Sequence, residues 1–152
     1  MHAAVRSFRE QDSAAWDAFV EAHEHGTVFH LTAWLRAMRA TFGYQPRYLL
    51  AERGGRVSGV LPLFLISNVV QGRILLSSPF AVYGGILAED GESKQALAEA
   101  AARLGRQLGV GHVELRNGYE AQRAGWAPVD RYVTFTQKVA PQDGRASCRE
   151  RV

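Results

Sequence analysis

Two adjacent glycines near the middle of the chain limit its fold more than any other feature. Gly54-Gly55 separates an apolar run over 48–53 from a second over 57–66. A two-residue loop whose members both accept positive φ is the type I′ hairpin turn, so the centre of the chain is committed to an antiparallel strand pair. Pro62 lies inside the second run and cannot donate to a ladder, so that strand carries a bulge, lies at an edge, or stops pairing there. The apolar stretch 57–70 is interrupted by Gly59, Pro62, Ser67 and Asn68. It falls short of the roughly twenty apolar positions of a membrane helix, and it reads as sheet.

Around this hairpin the periodicity changes character. A short strand over 5–8 precedes a helix that Asp12-Ser13 can cap, with Trp16, Phe19, Val20 and His23 on one face. Gly26 stops it. A second helix begins near Leu31-Thr32, sets Trp34 or Leu35, Met38 and Phe42 on one side, and ends at Gly43. After the hairpin come a strand over 73–77, an irregular segment over 78–85 and an extended piece at Ile86-Leu87. Gly84-Gly85 following aromatic residues implies close backbone packing or the approach of a ligand. The helix over 92–108 repeats Leu97, Ala101, Leu104 and Leu108 on one face, with Gly109 at the left-handed cap position. A strand over 112–116, a short helix over 119–124 and an alternating strand over 130–139 complete the order β-α-α-β-β-β-α-β-α-β. The class is α/β in the broad sense (α+β), with a mixed, mostly antiparallel sheet.

Composition removes several functions. At 152 residues there is room for one ordinary domain, and 47% hydrophobic with 22% charged residues is a globular balance. The surplus of 18 Lys+Arg over 15 Asp+Glu gathers on no single element before the last few positions, which argues against a DNA-binding stripe. Cys148 is the sole cysteine and has no CxxC or Cys/His partner, which excludes an internal disulfide and structural zinc. The N-terminus lacks the apolar core of a secretory signal, and no transmembrane segment is found. The expected location is cytoplasmic.

Two helices between the first strand and an antiparallel meander, followed by a β-α-β unit, is the order of the GNAT N-acyltransferase fold. Four segments sharpen that likeness: His25-Gly26-Thr27-Val28-Phe29-His30-Leu31-Thr32-Ala33-Trp34-Leu35, Val57-Ser58-Gly59-Val60-Leu61-Pro62-Leu63-Phe64, Pro79-Phe80-Ala81-Val82-Tyr83-Gly84-Gly85 and Val113-Glu114-Leu115-Arg116. Together they resemble the N-terminal half of FemAB-type proteins, most closely those associated with exosortase and exopolysaccharide loci, over about residues 3–139.

The resemblance implies an N-acyltransferase built from two tandem GNAT-like domains, of which this chain holds the first. A missing second domain of the same chain is then its partner. Acyl-CoA or aminoacyl-tRNA is the implied donor of the full-length protein, and an amine of a cell-envelope or exopolysaccharide precursor the acceptor. Ordinary GNAT relatives hold the acyl-CoA pyrophosphate on an Arg/Gln-x-x-Gly-x-Gly/Ala loop entering a helix. Here the corresponding turn reads Leu87-Ala88-Glu89-Asp90-Gly91, whose acidic pair repels a pyrophosphate, so no cofactor is expected in this half. Where better-studied members shape the acceptor cleft, Arg39 on the second helix and Tyr83-Gly84 in the loop are the positional matches. Phe80 stands where the family loop usually has Arg after its proline. The other reading is a non-catalytic GNAT-like binding or assembly module in polysaccharide biosynthesis.

Taken residue by residue, the expected substrate-binding set is Tyr83, Gly84, Arg39, His30 and Phe80, with no catalytic residue assigned. Tyr83 either forms a pocket wall or satisfies its hydroxyl in the core. His30, near Trp34, either lines a cleft or packs. His23, Glu24, His25 and His30 lack a completing ligand set, and no metal is expected. Ser77-Ser78 sits in no nucleophile elbow. Arg116 beside Asn117-Gly118 opens either a functional loop or a simple turn, and Trp16, Trp34 and Phe42 are read as core.

The last nine residues, from Gly144 to Val152, have no apolar period and match one translation frame of a common short-read sequencing adapter. The expectation is a GNAT-like domain over 1–140, truncated, with a non-native or disordered tail over 141–152. Without Arg145, Arg149, Arg151 and Glu150, the charge surplus falls from +3 to +1.

Overall fold

Pro62 divides the long apolar run into two strands, and each belongs to a different sheet. In the computed structural model, which describes residues 3–69, 72–118 and 125–128, the elements run β1 (Ala4–Ser7), α1 (Ser13–Ala22), α2 (Thr32–Phe42), β2 (Gln45–Pro46), β3 (Leu49–Arg53), β4 (Arg56–Leu61), β5 (Leu63–Asn68), β6 (Gly72–Ser77), β7 (Leu87–Ala88), α3 (Gly91–Leu108) and β8 (His112–Glu114). One sheet has the order β1-β3-β4-β7 and is antiparallel throughout. The other has the order β2-β5-β6-β8, antiparallel except that β8 returns parallel to β6 after the α3 crossover. The mixed, mostly antiparallel α+β architecture is as expected: the extended piece expected at Ile86-Leu87 is the two-residue strand β7, and the two-residue strand β2 is an addition the pattern did not indicate.

The chain divides into two compact units, Met1–Gln122 and Arg123–Val152, and the description below concerns the first. The helix expected over 119–124, the strand expected over 130–139 and the tail over 141–152 lie outside the described residues, apart from Gly125 to Pro128 between them. No helix among the described residues is long and apolar enough to cross a membrane.

Gly54 and Gly55 take φ of 57° and 78°, the pair of left-handed residues that a type I′ turn needs. The hairpin they close carries both faces of the core. On one side α1 and α2 bury Trp16, Val20, Leu35 and Met38 against Tyr48, Leu50, Val60 and Phe64. On the other, α3 buries Leu97, Ala98 and Ala101. Its approach explains Gly59, where a Cβ would come within 2.9 Å of Leu97 Cδ1 and 3.1 Å of the Leu87 carbonyl oxygen.

The helix ends follow their capping chemistry. The Asp17 carboxylate, on α1, accepts from the Thr32 N–H at 2.8 Å and its hydroxyl at 2.6 Å, so one helix caps the other. Gly43 and Gly109 close α2 and α3 at φ of 67° and 61°. At the start of α3, Asp90 Oδ1 accepts from the Ser93 N–H at 2.8 Å, and Arg53 bonds both Asp90 and Glu92 at 2.9 Å. The Ser93 N–H, ahead of the Arg53 guanidinium, holds the Asp90 carboxyl below the usual range. Asp90→Ala is expected to cost about 1 kcal/mol, the usual magnitude for a lost N-cap. Thermal unfolding and faster hydrogen exchange at the Ser93 amide check it.

Candidate functional site

Of the five expected site residues, His30, Tyr83, Gly84 and Phe80 lie in or against the loop 78–86 between β6 and β7, and Arg39 lies on α2. This loop is held from three sides. From beneath, the Pro62 carbonyl accepts the Ser78 N–H at 3.2 Å. From the turn before α2, the Ser78 hydroxyl donates to the Phe29 carbonyl at 3.0 Å, and the Thr27 hydroxyl lies 3.1 Å from the Tyr83 carbonyl oxygen. From the segment after β8, the Arg116 carbonyl accepts the Gly84 N–H at 3.1 Å, Arg116 Nη1 donates to the Ala81 carbonyl at 3.0 Å, and Asn117 Oδ1 accepts the Ile86 N–H at 2.9 Å. The Arg116 N–H donates in turn to Ser77 Oγ at 2.8 Å, which carries the β6–β8 pairing past the last ladder residue.

His30 is the inner clasp. It is 2% exposed, with Nε2 at 3.2 Å from the Gly85 carbonyl and Nδ1 at 3.3 Å from the Thr27 N–H. A neutral ring protonated on Nε2 satisfies both, donating to Gly85 and accepting from Thr27. The Thr27 hydroxyl, 2.8 Å from Nδ1, has one proton to give to either that nitrogen or the Tyr83 carbonyl. Burial pushes the His30 imidazole down to about 4, and the nearby His23 acts in the same direction. A buried neutral ring with both nitrogens engaged holds the loop and is not placed to touch a ligand.

The glycine pair is explained by close packing. A Cβ on Gly84 would strike the Ser78 side chain, and one on Gly85 would fall on Asn117 Oδ1 and within 2.8 Å of the Asn117 main chain. Gly85→Ala is therefore expected to push the loop off the 116–117 segment and cost about 1–3 kcal/mol, as overpacking does. Thermal unfolding, with loss of exchange protection at the Gly84 and Ile86 amides, checks this. The half-buried Tyr83 ring covers Gly118, where a Cβ would lie 2.6 Å from Tyr83 Cδ1.

Phe80, on the same loop, and Arg39, on α2, face solvent. Phe42, read as core, is 47% exposed, on the last turn of α2. Its ring lies 4.9 Å from Phe80 and 5.3 Å from Tyr44, and Phe80 is 62% exposed. Ser78 and Phe80 take φ of 40° and 62°, left-handed values that cost side-chain-bearing residues about 1–3 kcal/mol and persist only where surroundings enforce them. Arg39 is exposed one turn before Phe42 and makes no ion pair with a described residue. The five expected residues thus separate into His30, Tyr83 and Gly84, which build the loop, and Arg39 and Phe80, which face solvent.

Arg116 and Asn117, which the sequence left between a functional loop and a simple turn, brace loop 78–86, a role the sequence did not indicate. The Ser77 and Ser78 oxygens are both engaged in holding the loop. No group of three His, Cys, Asp or Glu residues among the described residues is placed to hold a metal, and His23 and His25 lie ring to ring at 5.8 Å. An open hollow of about 440 Å³ lies away from this loop, between α1 and the β3–β4 hairpin. Its charged walls are already paired, Arg6 with Asp12 and Glu52 at 2.7 and 2.6 Å and Arg56 with Glu89 at 3.5 Å.

No protein-family model matches the chain, and no curated protein sequence does. Solved structures do match in fold. The ribosomal-protein-alanine N-acetyltransferase of Brucella melitensis biovar Abortus 2308 superposes with a TM-score of 0.60 at 11% identity, covering 91% of this chain and 100% of its own. The aminoglycoside acetyltransferase AAC(6')-Iy, in complex with the bisubstrate analogue CoA-S-monomethyl-acetylneamine, gives 0.56 at 15% identity over 91% of this chain and 100% of its own. A GNAT-family acetyltransferase from Brucella melitensis in complex with acetyl-CoA gives 0.53 at 22% identity, over 78% of this chain and 79% of its own. The chain has the GNAT acetyltransferase fold.

Proposed function

We propose that this chain is the N-terminal, acceptor-side half of a FemAB-like N-acyltransferase, one that moves an aminoacyl or acyl group to an amine of a cell-envelope or exopolysaccharide precursor. The observation that carries the reading is the start of α3. Two of the neighbours were solved with CoA-type ligands, and a helix N-terminus suits a pyrophosphate through its free N–H groups. Here the Asp90 carboxylate already takes the Ser93 N–H, and three carboxylates, Glu89, Asp90 and Glu92, stand against only two guanidiniums, Arg53 and Arg56. Acyl-CoA does not fit this position. The donor, acyl-CoA or aminoacyl-tRNA, is therefore assigned to a second GNAT-like domain of the same chain, with the domain seen here extending over about 1–140 in a cytoplasmic protein.

On this reading His30, Gly84 and Tyr83 shape the loop, and Arg39 and Phe80 are the groups positioned to meet an acceptor. Their contribution is substrate positioning, since neither side chain is a nucleophile or a base near neutral pH. The engagement of His30, Ser77 and Ser78 in hydrogen bonds within the fold also supports the alternative, a binding or assembly module without chemistry of its own.

The test is a titration of the chain with amino-sugar and lysine-type amines, followed at backbone amides by nuclear magnetic resonance. The reading predicts shifts at Arg39, Phe80 and Tyr83 that Arg39→Ala weakens. Shifts confined to the first turn of α3 on adding acetyl-CoA, with none from any amine, would overturn it. If an amine binds but adding the full-length protein and either donor yields no transfer, the module reading replaces the transferase.

A further inference from the structure

We infer that the aromatic rim around Phe80 docks the protein reversibly on an anionic lipid bilayer. This goes beyond the transferase reading and does not depend on it. Among the described residues, the exposed large apolar side chains are Val28, Phe42, Val69, Phe80 and Val82, at 57%, 47%, 104%, 62% and 55% exposure. All but Val69 sit on segments that meet loop 78–86. Val28 lies between Thr27, whose hydroxyl reaches the Tyr83 carbonyl, and Phe29, whose carbonyl accepts from Ser78. Phe42 touches Phe80, and Tyr44 joins both rings, lying 6.5 Å from Phe80. The left-handed backbone at Ser78 and Phe80 keeps the Phe80 ring out in water. Outward-held apolar side chains of this kind mark an interaction surface.

Charge selects the occupant. The sequence has no Asp or Glu between Glu24 and Glu52, nor between Glu52 and Glu89, whereas the first interval carries Arg36, Arg39 and Arg47. Arg36 faces Glu10 at 2.9 Å, and Arg116 faces Glu114 at 2.9 Å. Among the described residues Arg39 has no ion pair and the Arg47 guanidinium bonds the neutral Pro46 carbonyl and Gln45 side chain, so no described carboxylate compensates either charge. Arg39 stands one turn before Phe42 on α2 and Arg47 three residues after Tyr44, so the segments that bear the rings also bear cationic side chains. Each apolar side chain stands about half or more in solvent, which a recess enclosing a small ligand does not allow. Even fully covered, four such side chains supply about half of the roughly 800 Å² per partner of a stable protein interface. A bilayer needs no shape complementarity: Phe and Val enter the acyl boundary, while Tyr and Arg remain among anionic headgroups.

Co-sedimentation with vesicles tests this. The chain is expected to pellet with vesicles of phosphatidylcholine mixed with phosphatidylglycerol, not with phosphatidylcholine alone, and added salt should weaken the binding. Phe80→Gly is the decisive variant, because glycine accepts the φ of 62° without strain, so the ring is lost while the loop is kept. Partition should fall by about tenfold, and similarly for Val82→Glu, with the thermal unfolding temperature not lowered in either variant. Failure to pellet with anionic vesicles would overturn the inference, as would equal partition of both variants. A concentration-dependent dimer dissolved by Phe80→Gly, without vesicle binding, would assign the rim to a second copy instead.

Discussion

Trp16→Ala is expected to remove about 3–5 kcal/mol of stability, the range for deleting a large buried aromatic, and so to bring a domain of ordinary stability close to its unfolding threshold. Trp16 is 0% exposed, stacks on Tyr48 at 5.1 Å and meets Phe8 edge-on at 5.4 Å. Its indole N–H donates to the His30 carbonyl at 2.6 Å, so the same side chain that fills the core fixes the turn carrying the clasp histidine. Trp16→Phe separates the two roles. It keeps most of the ring and leaves a buried carbonyl without a donor, at a cost of about 1–3 kcal/mol. Chemical denaturation of both variants checks the magnitudes. Exchange at the Gly84 and Ile86 amides should accelerate in Trp16→Phe even where the fold survives, and unchanged exchange would separate the core from the loop.

The second large effect is on pH. The folded His30 imidazole titrates near 4, against about 6.5 when exposed, so the unfolded chain binds a proton over a range where the folded one does not. The contribution is therefore complete above about 6.5 and is lost progressively as pH falls towards 4. The full span amounts to about 3 kcal/mol. His30→Gln offers an amide N–H to Gly85 and an oxygen to Thr27 with nothing to titrate. The stability difference between wild type and His30→Gln is expected to be flat at and above neutral pH and to shrink between about 6.5 and 4. A difference independent of pH across that window would mean that His30 is protonated or exposed in the folded state.

Much of the fold was legible because its signals are local. Gly54-Gly55 demanded a type I′ turn and Gly43 and Gly109 marked helix ends, whereas Asp90 was read only as an acidic residue and not as the cap of α3 that it is. Pro62 was legible as an interruption. That the interruption starts a second sheet was not, since this depends on which strands pair with β5. Phe42 was misread because helical periodicity reports a face and not how far along it the burial extends. At the loop, Gly84-Gly85 announced close packing or a ligand, and the residue that decides between them, Asn117, is more than thirty residues away and was legible only as part of a loop or turn. His30 looked like a cleft residue on the same grounds that make it a clasp: a polar ring in an apolar turn has to be satisfied, and only the fold shows by what.

On the proposed reading this GNAT-fold unit has closed the start of α3 to a donor phosphate and retains the acceptor side. Calorimetric titration of the chain with acetyl-CoA tests it most directly, with Asp90→Ala alongside to reopen the helix N-terminus. The account predicts no saturable binding at millimolar acetyl-CoA for the wild type, and measurable weak binding, if any, only for the variant. Micromolar binding to the wild type that protects the Ser93 and Lys94 amides from exchange would contradict it.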